Sequence, residues 1–211
     1  MRNLVLMGMG EPLHNYDAVM TALDIITERR GINLAPSHIS VSTVGVVPGI
    51  LRMAREGCPY NLAVSLHAAT DAERVEIVPA SRRWPLEELI AACRTYGETT
   101  GRRIFFGWTL IAGANDTPAH AQRLAALLAG IDAHVNLIPL NPTEGYSGQT
   151  GSAASAETFK SLLQAAGFPC TLRQRRGIDV AAGCGQLRAE NQRVGREGAG
   201  PEGSAATITL L

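Results

Sequence analysis

Apolar residues recur along this chain in two rhythms that take turns. Residues 3–7 form a short apolar run of strand type, and 16–30 then show helical spacing, with Asp17 in the first turn. Gly31 follows directly, where a left-handed stop costs least. Residues 38–43 are short and β-branched, 48–56 read as a helix closed by Gly57, and 61–66 as a buried strand. The pattern then predicts a helix after Asp71 and a stronger one from Pro85 to about Thr100, followed by a strand at 103–111. A helix capped by Thr117 and reaching Ala129, a strand at 133–140, a helix over 155–166 and a strand at 169–174 complete the series. Six alternations with short loops imply right-handed crossovers and a parallel sheet, either open and doubly wound or curled toward a barrel. From Arg188 onward the periodicity stops and Gly, Glu, Arg and Ala dominate, the composition of a disordered tail.

Composition narrows the function classes. The 211 residues are 45% apolar, enough for one sizeable core, and Lys plus Arg (19) balance Asp plus Glu (19). Zero net charge argues against a wide basic face, so any nucleic-acid contact rests on local patches such as Arg82 with Arg83, or Arg173 with Arg175 and Arg176. Cys58, Cys93, Cys170 and Cys184 are too far apart for a C-x-x-C clip, which excludes a contiguous zinc or cluster motif. No apolar run approaches bilayer length and no leader pattern is present, so the expectation is a cytoplasmic protein with free thiols and no membrane contact.

In parallel sheets and barrels, ligands bind at the C-terminal ends of the strands. Those ends are here small and polar: Gly8 to Pro12 after the first strand, Ser42 to Gly45 after the second, Ser65-Leu66-His67 after the third, and Pro139 to Pro142 after the fifth. The four edges are expected to face one pocket. Two glycines let a ligand approach the backbone, and Glu11 beside them suits an ammonium group. Taken singly, each segment is also what an ordinary capped turn looks like, and His67 alone reads as a hydrogen-bonded core edge.

Together the segments are more specific. LVLMGMGEPLHNYD, ISVSTVGVVPGI, NLAVSLHAATDAER, HVNLIPLNP and RRGIDVAAGCGQL resemble, in order and spacing, the radical S-adenosylmethionine methyltransferases of the RlmN and Cfr family, over roughly residues 2–190. The resemblance implies a partial (β/α) TIM-type barrel of the radical SAM kind lacking its first β/α unit. Residues 1–187 would form that core, ending in a cysteine loop, with 188–211 as the tail. It implies S-adenosylmethionine as cofactor, held by Gly10, Glu11, Ser42, Ser65, Leu66, His67 and Asn141, with Glu11 pairing its ammonium. Cys184 would be the catalytic cysteine that carries the methyl group, on a glycine-flanked loop. The implied reaction is radical methylation of adenine carbon 2 in 23S rRNA, with tRNA left open as a second substrate. It would run by way of a 5′-deoxyadenosyl radical, a [4Fe-4S] cluster and an electron donor such as flavodoxin, in a monomeric enzyme.

Departures from the family pattern accompany the likeness. Gly107 stands where relatives usually carry Glu, Val44 where Ser is common, and Gly183 where Ala is common. The C-x3-C-x2-C cluster motif does not occur, so no metal ligand is assigned, and the chain is expected to begin downstream of the cluster strand and to be inactive alone. A non-catalytic remnant that binds S-adenosylmethionine or RNA, or one piece of a split enzyme, is the competing reading. An aldolase-type barrel would need a lysine on a strand, and the sole lysine, Lys160, falls on an expected helix.

Overall fold

The computed structural model describes residues 2–7, 10–140 and 148–173. Six strands, β1 (Leu4–Leu6), β2 (Ile39–Thr43), β3 (Asn61–Ser65), β4 (Ile104–Leu110), β5 (Ala133–Pro139) and β6 (Cys170–Leu172), lie in one parallel sheet in sequential order. Helices α1 (Tyr16–Thr27), α2 (Val47–Arg55), α3 (Asp71–Ile77), α4 (Leu86–Thr100), α5 (Pro118–Leu127) and α6 (Ala153–Ala165) fill the connections, as the alternating pattern predicts.

The sequential order decides between the two architectures that the sequence left open. A doubly wound sheet reverses its strand order so that helices cover both faces, whereas unbroken right-handed crossovers in one direction put every helix on the same face. The burial pattern agrees. On β2, β3, β4 and β5, Ile39, Val41, Leu62, Val64, Phe106, Trp108, Val135 and Leu137 are completely or almost completely buried. Their alternating neighbours Ser40, Ser42, Ala63, Ser65, Phe105, Gly107, Asn136 and Ile138 are only half-buried. One face therefore carries the core and the other is left as a concave wall.

The helix-side core is continuous. Ile50 and Met53 of α2, Leu89, Cys93 and Tyr96 of α4, Leu124 of α5, and Phe159 and Leu163 of α6 all pack into it. Trp108 meets Phe159 with ring centroids 5.7 Å apart, and its indole N–H donates to the Asn115 carbonyl at 3.2 Å. Tyr96 brings its hydroxyl into the core only by donating to the Tyr60 carbonyl at 2.6 Å. Gly49 lets α2 approach the 3₁₀ turn Pro12–Asn15, because a Cβ there would stand 2.7 Å from that of Leu13.

Two helix ends differ from expectation. α1 stops at Thr27 rather than Arg30, and Gly31 is not its left-handed stop: Glu28 turns to extended geometry, and Asn33, at φ 53°, takes the positive angle. Early exit lets Leu34 tuck into the core, closed by Leu34 N–H on the Ile26 carbonyl and Asn33 N–H on the Glu28 carbonyl. Thr117 occupies the N-cap position of α5, but its hydroxyl bonds His120 Nδ1 at 2.6 Å instead of a backbone N–H. Cys58 and Cys93 are buried in the core, and Cys170 is half-buried. Among the described residues no helix is long and apolar enough to cross a membrane. The tail expected beyond Arg188 lies outside the described residues.

Candidate functional site

Five of the residues singled out from the sequence meet around one recess. Gly10, Glu11, Ser42, Ser65 and His67 line a cavity of about 70 Å³ at the C-terminal ends of the strands, together with Met7, Thr109 and Ile138. Leu66 does not line it: its side chain is fully buried in the core, its N–H donates to the Gly107 carbonyl, and its carbonyl accepts from Arg74. Asn141 and Cys184 lie outside the described residues.

The loop after β1 is built to hold a carboxylate in place. Gly10 has φ 88°, a conformation that L side chains rarely adopt, and it delivers Glu11 to the N-cap of the 3₁₀ turn. Glu11 accepts from the Leu13 N–H through Oε1 at 3.0 Å and from the Val44 N–H through Oε2 at 2.8 Å. Each oxygen thus spends one lone pair on the backbone and keeps another. The carboxylate ties the loop after β1 to the loop after β2, a bond between residues 33 positions apart in sequence.

Arg74 performs the matching task from below. This guanidinium, 1% exposed, donates to the carbonyls of Val44 (2.5 Å), Leu66 (3.1 Å) and Ser65 (3.3 Å), joining the ends of β2 and β3. Burial pushes its pKa down to about 10, well short of neutralising it at pH 7. Gly45, at φ 107°, leaves room for this arrangement, since a Cβ would sit 3.0 Å from Leu89 and 3.2 Å from the Arg74 guanidinium.

His67 is held with unusual firmness. It has φ 61°, its Nδ1 accepts from the Thr109 N–H at 3.0 Å, and its carbonyl accepts from the Asn115 side chain at 2.8 Å. Asn115 also donates to the Thr109 carbonyl and accepts from the Ile111 N–H, both at 2.8 Å. Because Nδ1 is an acceptor, the neutral ring carries its proton on Nε2. Burial, and secondarily the Arg74 charge, push the imidazole down to about 4, so His67 is neutral at physiological pH and serves as a fixed hydrogen-bonding group rather than a base.

The recess continues down the concave face into a cavity of about 290 Å³. Ser40, Ser42, Ala63, Ser65, Phe105, Gly107, Asn136 and Arg173 are among its walls. Among the described residues, Ser40, Ser42, Ser65, Asn136 and Arg173 have no side-chain hydrogen-bond partner, and no carboxylate lines the cavity. Ser40, Ser42, Ser65 and Asn136 are half-buried and Arg173 is exposed, so these groups stand open to solvent and are available to a polar ligand. A larger cleft of about 670 Å³ beside α6 carries Asp116, Glu157, Lys160 and Arg173, with Lys160 already paired to Glu157 at 3.0 Å.

Sequence reasoning did not find Arg74, Asn115, Ser40 or Asn136 as site residues. Arg74 looks like any surface cation on a short helix, and Asn115 like part of a cap. Ser40 and Asn136 did carry a signal, since each lies two positions from a neighbour already on the cavity wall. Among the described residues no three His, Cys, Asp or Glu side chains gather as a metal site. Burial raises the thiols of Cys93 to about 12 and Cys170 to about 11, and that of Cys58 also upward, so none of the three is a ready thiolate.

Known proteins resemble the chain closely. A probable dual-specificity RNA methyltransferase RlmN 2 from Opitutus terrae is 60% identical over 193 residues, covering 91% of this chain and 45% of that protein. Dual-specificity RNA methyltransferase RlmN 1 of Myxococcus xanthus is 58% identical over 196 residues, covering 93% and 55% respectively. The chain thus spans about half the length of the curated relatives it matches. A crystal structure of a radical SAM methyltransferase from Sphaerobacter thermophilus superposes with TM-score 0.85 at 49% identity, covering 88% of this chain and 55% of that one. A domain of a pyruvate-formate lyase-activating enzyme from Bacteroides vulgatus, 17% identical at TM-score 0.60, shares the fold alone. No protein-family model matches the chain. With half or more of its residues identical to these curated relatives over some nine-tenths of its length, and the fold of the Sphaerobacter structure in its sheet, the chain is closely similar to about half of an RlmN-type radical SAM methyltransferase.

Proposed function

We propose that this chain is the S-adenosylmethionine-binding part of a radical methyltransferase that modifies adenine carbon 2 in 23S rRNA and tRNA. The observation that carries the reading is the convergence of Gly10, Glu11, Ser42, Ser65 and His67 on one recess in a protein 60% identical to a named RNA methyltransferase. The donor set fits the cosubstrate. Glu11 keeps one free lone pair per oxygen for the methionine ammonium, Ser42 and Ser65 have unpaired hydroxyls, and His67 keeps a protonated Nε2. When bound, S-adenosylmethionine supplies the methyl group and, once reduced, the radical that makes an electrophilic adenine carbon reactive.

The chain's own residues orient and shield. Arg74 and Asn115 hold the carbonyls and the imidazole that shape the recess, and the apolar side chains Met7 and Ile138 exclude water from its rim. Asn141 is proposed to complete the cofactor pocket, Leu66 to contribute backbone groups, and Cys184 to carry the methyl group to the base. Arg173, unpaired on the cavity wall, is proposed to meet an RNA phosphate.

The residues present do not fit an iron–sulfur cluster. The sequence has no C-x3-C-x2-C, Cys58 and Cys93 are buried in the core, and among the described residues no cysteine joins a metal-binding group. The chain by itself is therefore expected to bind S-adenosylmethionine without producing methylated RNA, as an enzyme acting in the cytoplasm only together with a cluster-bearing segment and a reductant such as flavodoxin.

Titrating S-adenosylmethionine into the 211-residue chain tests this reading. Saturable binding is expected, weakened several-fold by Ser42→Ala, which removes no side-chain bond among the described residues. No binding by the unaltered chain would overturn the proposal. In a fusion to the cluster-bearing segment of the Myxococcus relative, Cys184→Ala should abolish adenine methylation, and retained methylation would remove Cys184 from the reaction.

A further inference from the structure

The first turns of α3 and α5 each give up part of an ordinary helix cap. Thr70 to Glu73 has the pattern of a capping box, and the Thr70 hydroxyl accepts from the Glu73 N–H at 3.3 Å, as that box requires. The reciprocal bond, from the Thr70 N–H to the Glu73 carboxylate, is not made, because Glu73 turns toward α5 instead. Thr117, at the N-cap of α5, likewise commits its hydroxyl to His120 Nδ1, 2.6 Å away, and caps no backbone N–H. Two local rules broken at places that then meet mark a contact that serves something other than the helices themselves.

They meet at Glu73. Its Oε1 accepts from Arg123 Nη2 at 2.9 Å, across 50 positions of sequence, and lies 3.4 Å from His120 Nε2. Its Oε2 is buried and has no partner among the described residues. His120 is buried, so the middle of the chain from Thr117 through His120 to Glu73 is withdrawn from solvent, and Arg123 closes it at the surface. An exposed ion pair holds its partners loosely, whereas a buried imidazole engaged at both nitrogens defines one arrangement. α3 packs chiefly against the 3₁₀ turn Pro79–Arg83, and α5 against α6. Among the described residues, every hydrogen bond and ion pair between α3 and α5 passes through Glu73.

Each end of this link adjoins a group that shapes the recess. Glu73 precedes Arg74, which gathers the carbonyls of Val44, Ser65 and Leu66. Thr117 stands two positions after Asn115, which holds the His67 carbonyl. A shift of α3 against α5 would therefore displace Arg74 relative to Asn115, and the His67 ring with them. We propose that Thr117, His120, Glu73 and Arg123 are positioning residues, which lock the start of α3 to α5 and, through Arg74 and Asn115, fix the His67 imidazole at the wall of the recess. The inference rests on the reading above for the ligand of that recess, and on the hydrogen bonds alone for the lock.

The His67 ring is followed by NMR titration in the 211-residue chain, its resonance identified by its loss in His67→Asn, and S-adenosylmethionine binding is measured on the same variants. In the unaltered chain the ring should stay neutral to about pH 5, since burial first and the Arg74 charge second push it down to about 4. Glu73→Ala and His120→Ala should each let water reach the ring, raising its proton affinity at least about threefold and weakening S-adenosylmethionine by about the same factor. The double variant should be no worse than either single one, because both break one link. Glu73→Gln, which keeps the size and loses the charge, carries the test if the buried His120→Ala does not fold. Arg103→Ala, which breaks the exposed pair with Asp132 near the opposite ends of the strands, is the control and should move neither quantity. A His67 titration that the Glu73 and His120 variants shift no further than the control does would overturn the proposal. So would effects that multiply in the double variant, or a shifted His67 with S-adenosylmethionine bound as tightly as before. If Ser42→Ala weakens S-adenosylmethionine while His67 ignores the link variants, the lock fails and the cofactor reading stands. If His67 responds but the unaltered chain binds no S-adenosylmethionine, the lock stands and the cofactor reading fails.

Discussion

The two faces of the sheet are made from the same strands and answer to different demands. On the helix side, Val41, Val64, Trp108 and Leu137 are sealed against helices and their polar atoms are paired. On the concave side, Ser42, Ser65, Gly107 and Asn136, each adjacent in sequence to one of those residues, lie half-open around the cavity, and the three that have polar side chains find no partner among the described residues. Because side chains alternate along a strand, a single stretch of five to seven residues can hold a core and a site without compromise between them. Stability and binding should therefore separate by face.

The largest expected effect tests the sealed face. Trp108→Ala removes a fully buried indole, its contact with Phe159 and its bond to Asn115, and should cost about 3–5 kcal/mol in urea unfolding. A loss below about 1 kcal/mol would mean that this face is not the structural core.

His67 stands where the faces meet, and its effect should depend on pH. Its pKa is pushed down to about 4 in the folded chain against about 6.5 when unfolded, so the unfolded chain binds the extra proton between those values. Stability present above about pH 6.5 is then lost as pH falls toward 4, by on the order of 3 kcal/mol. His134, shifted in the same direction by burial, adds to the slope. Comparing unfolding at pH 7 and pH 4.5, His67→Asn, which tolerates the positive φ, should flatten the dependence. An unchanged slope would show that His67 is not buried as a neutral ring.

The smallest effect probes the open face. Ser40→Ala should change stability by no more than about 0.5 kcal/mol, since its hydroxyl has no partner to lose. A cost above about 1 kcal/mol would show that the hydroxyl serves the fold, and the contrast between faces would collapse.

Much of this molecule was legible before any coordinates. Hydrophobic periodicity is a local property, so it placed all six strands and six helices, and the strand ends named Glu11, Ser42, Ser65 and His67. It misjudged the end of α1 because Leu34, not Gly31, decides where the chain turns, and the pull on Leu34 comes from the core.

The sequence by itself determined the order of elements, the alternation that gives each strand two unlike faces, and the likeness to radical S-adenosylmethionine methyltransferases. Tertiary structure decided that all helices lie on one side, that Glu11 reaches Val44, that Arg74 gathers the carbonyls of Val44, Ser65 and Leu66, and that Asn115 locks His67. It also decided that Gly107 stands between Ser65 and Asn136. The division has one physical cause. Period and propensity act within a few residues, while most of these pairings join groups some 30 to 48 positions apart, and only the folded sheet brings them within hydrogen-bonding distance.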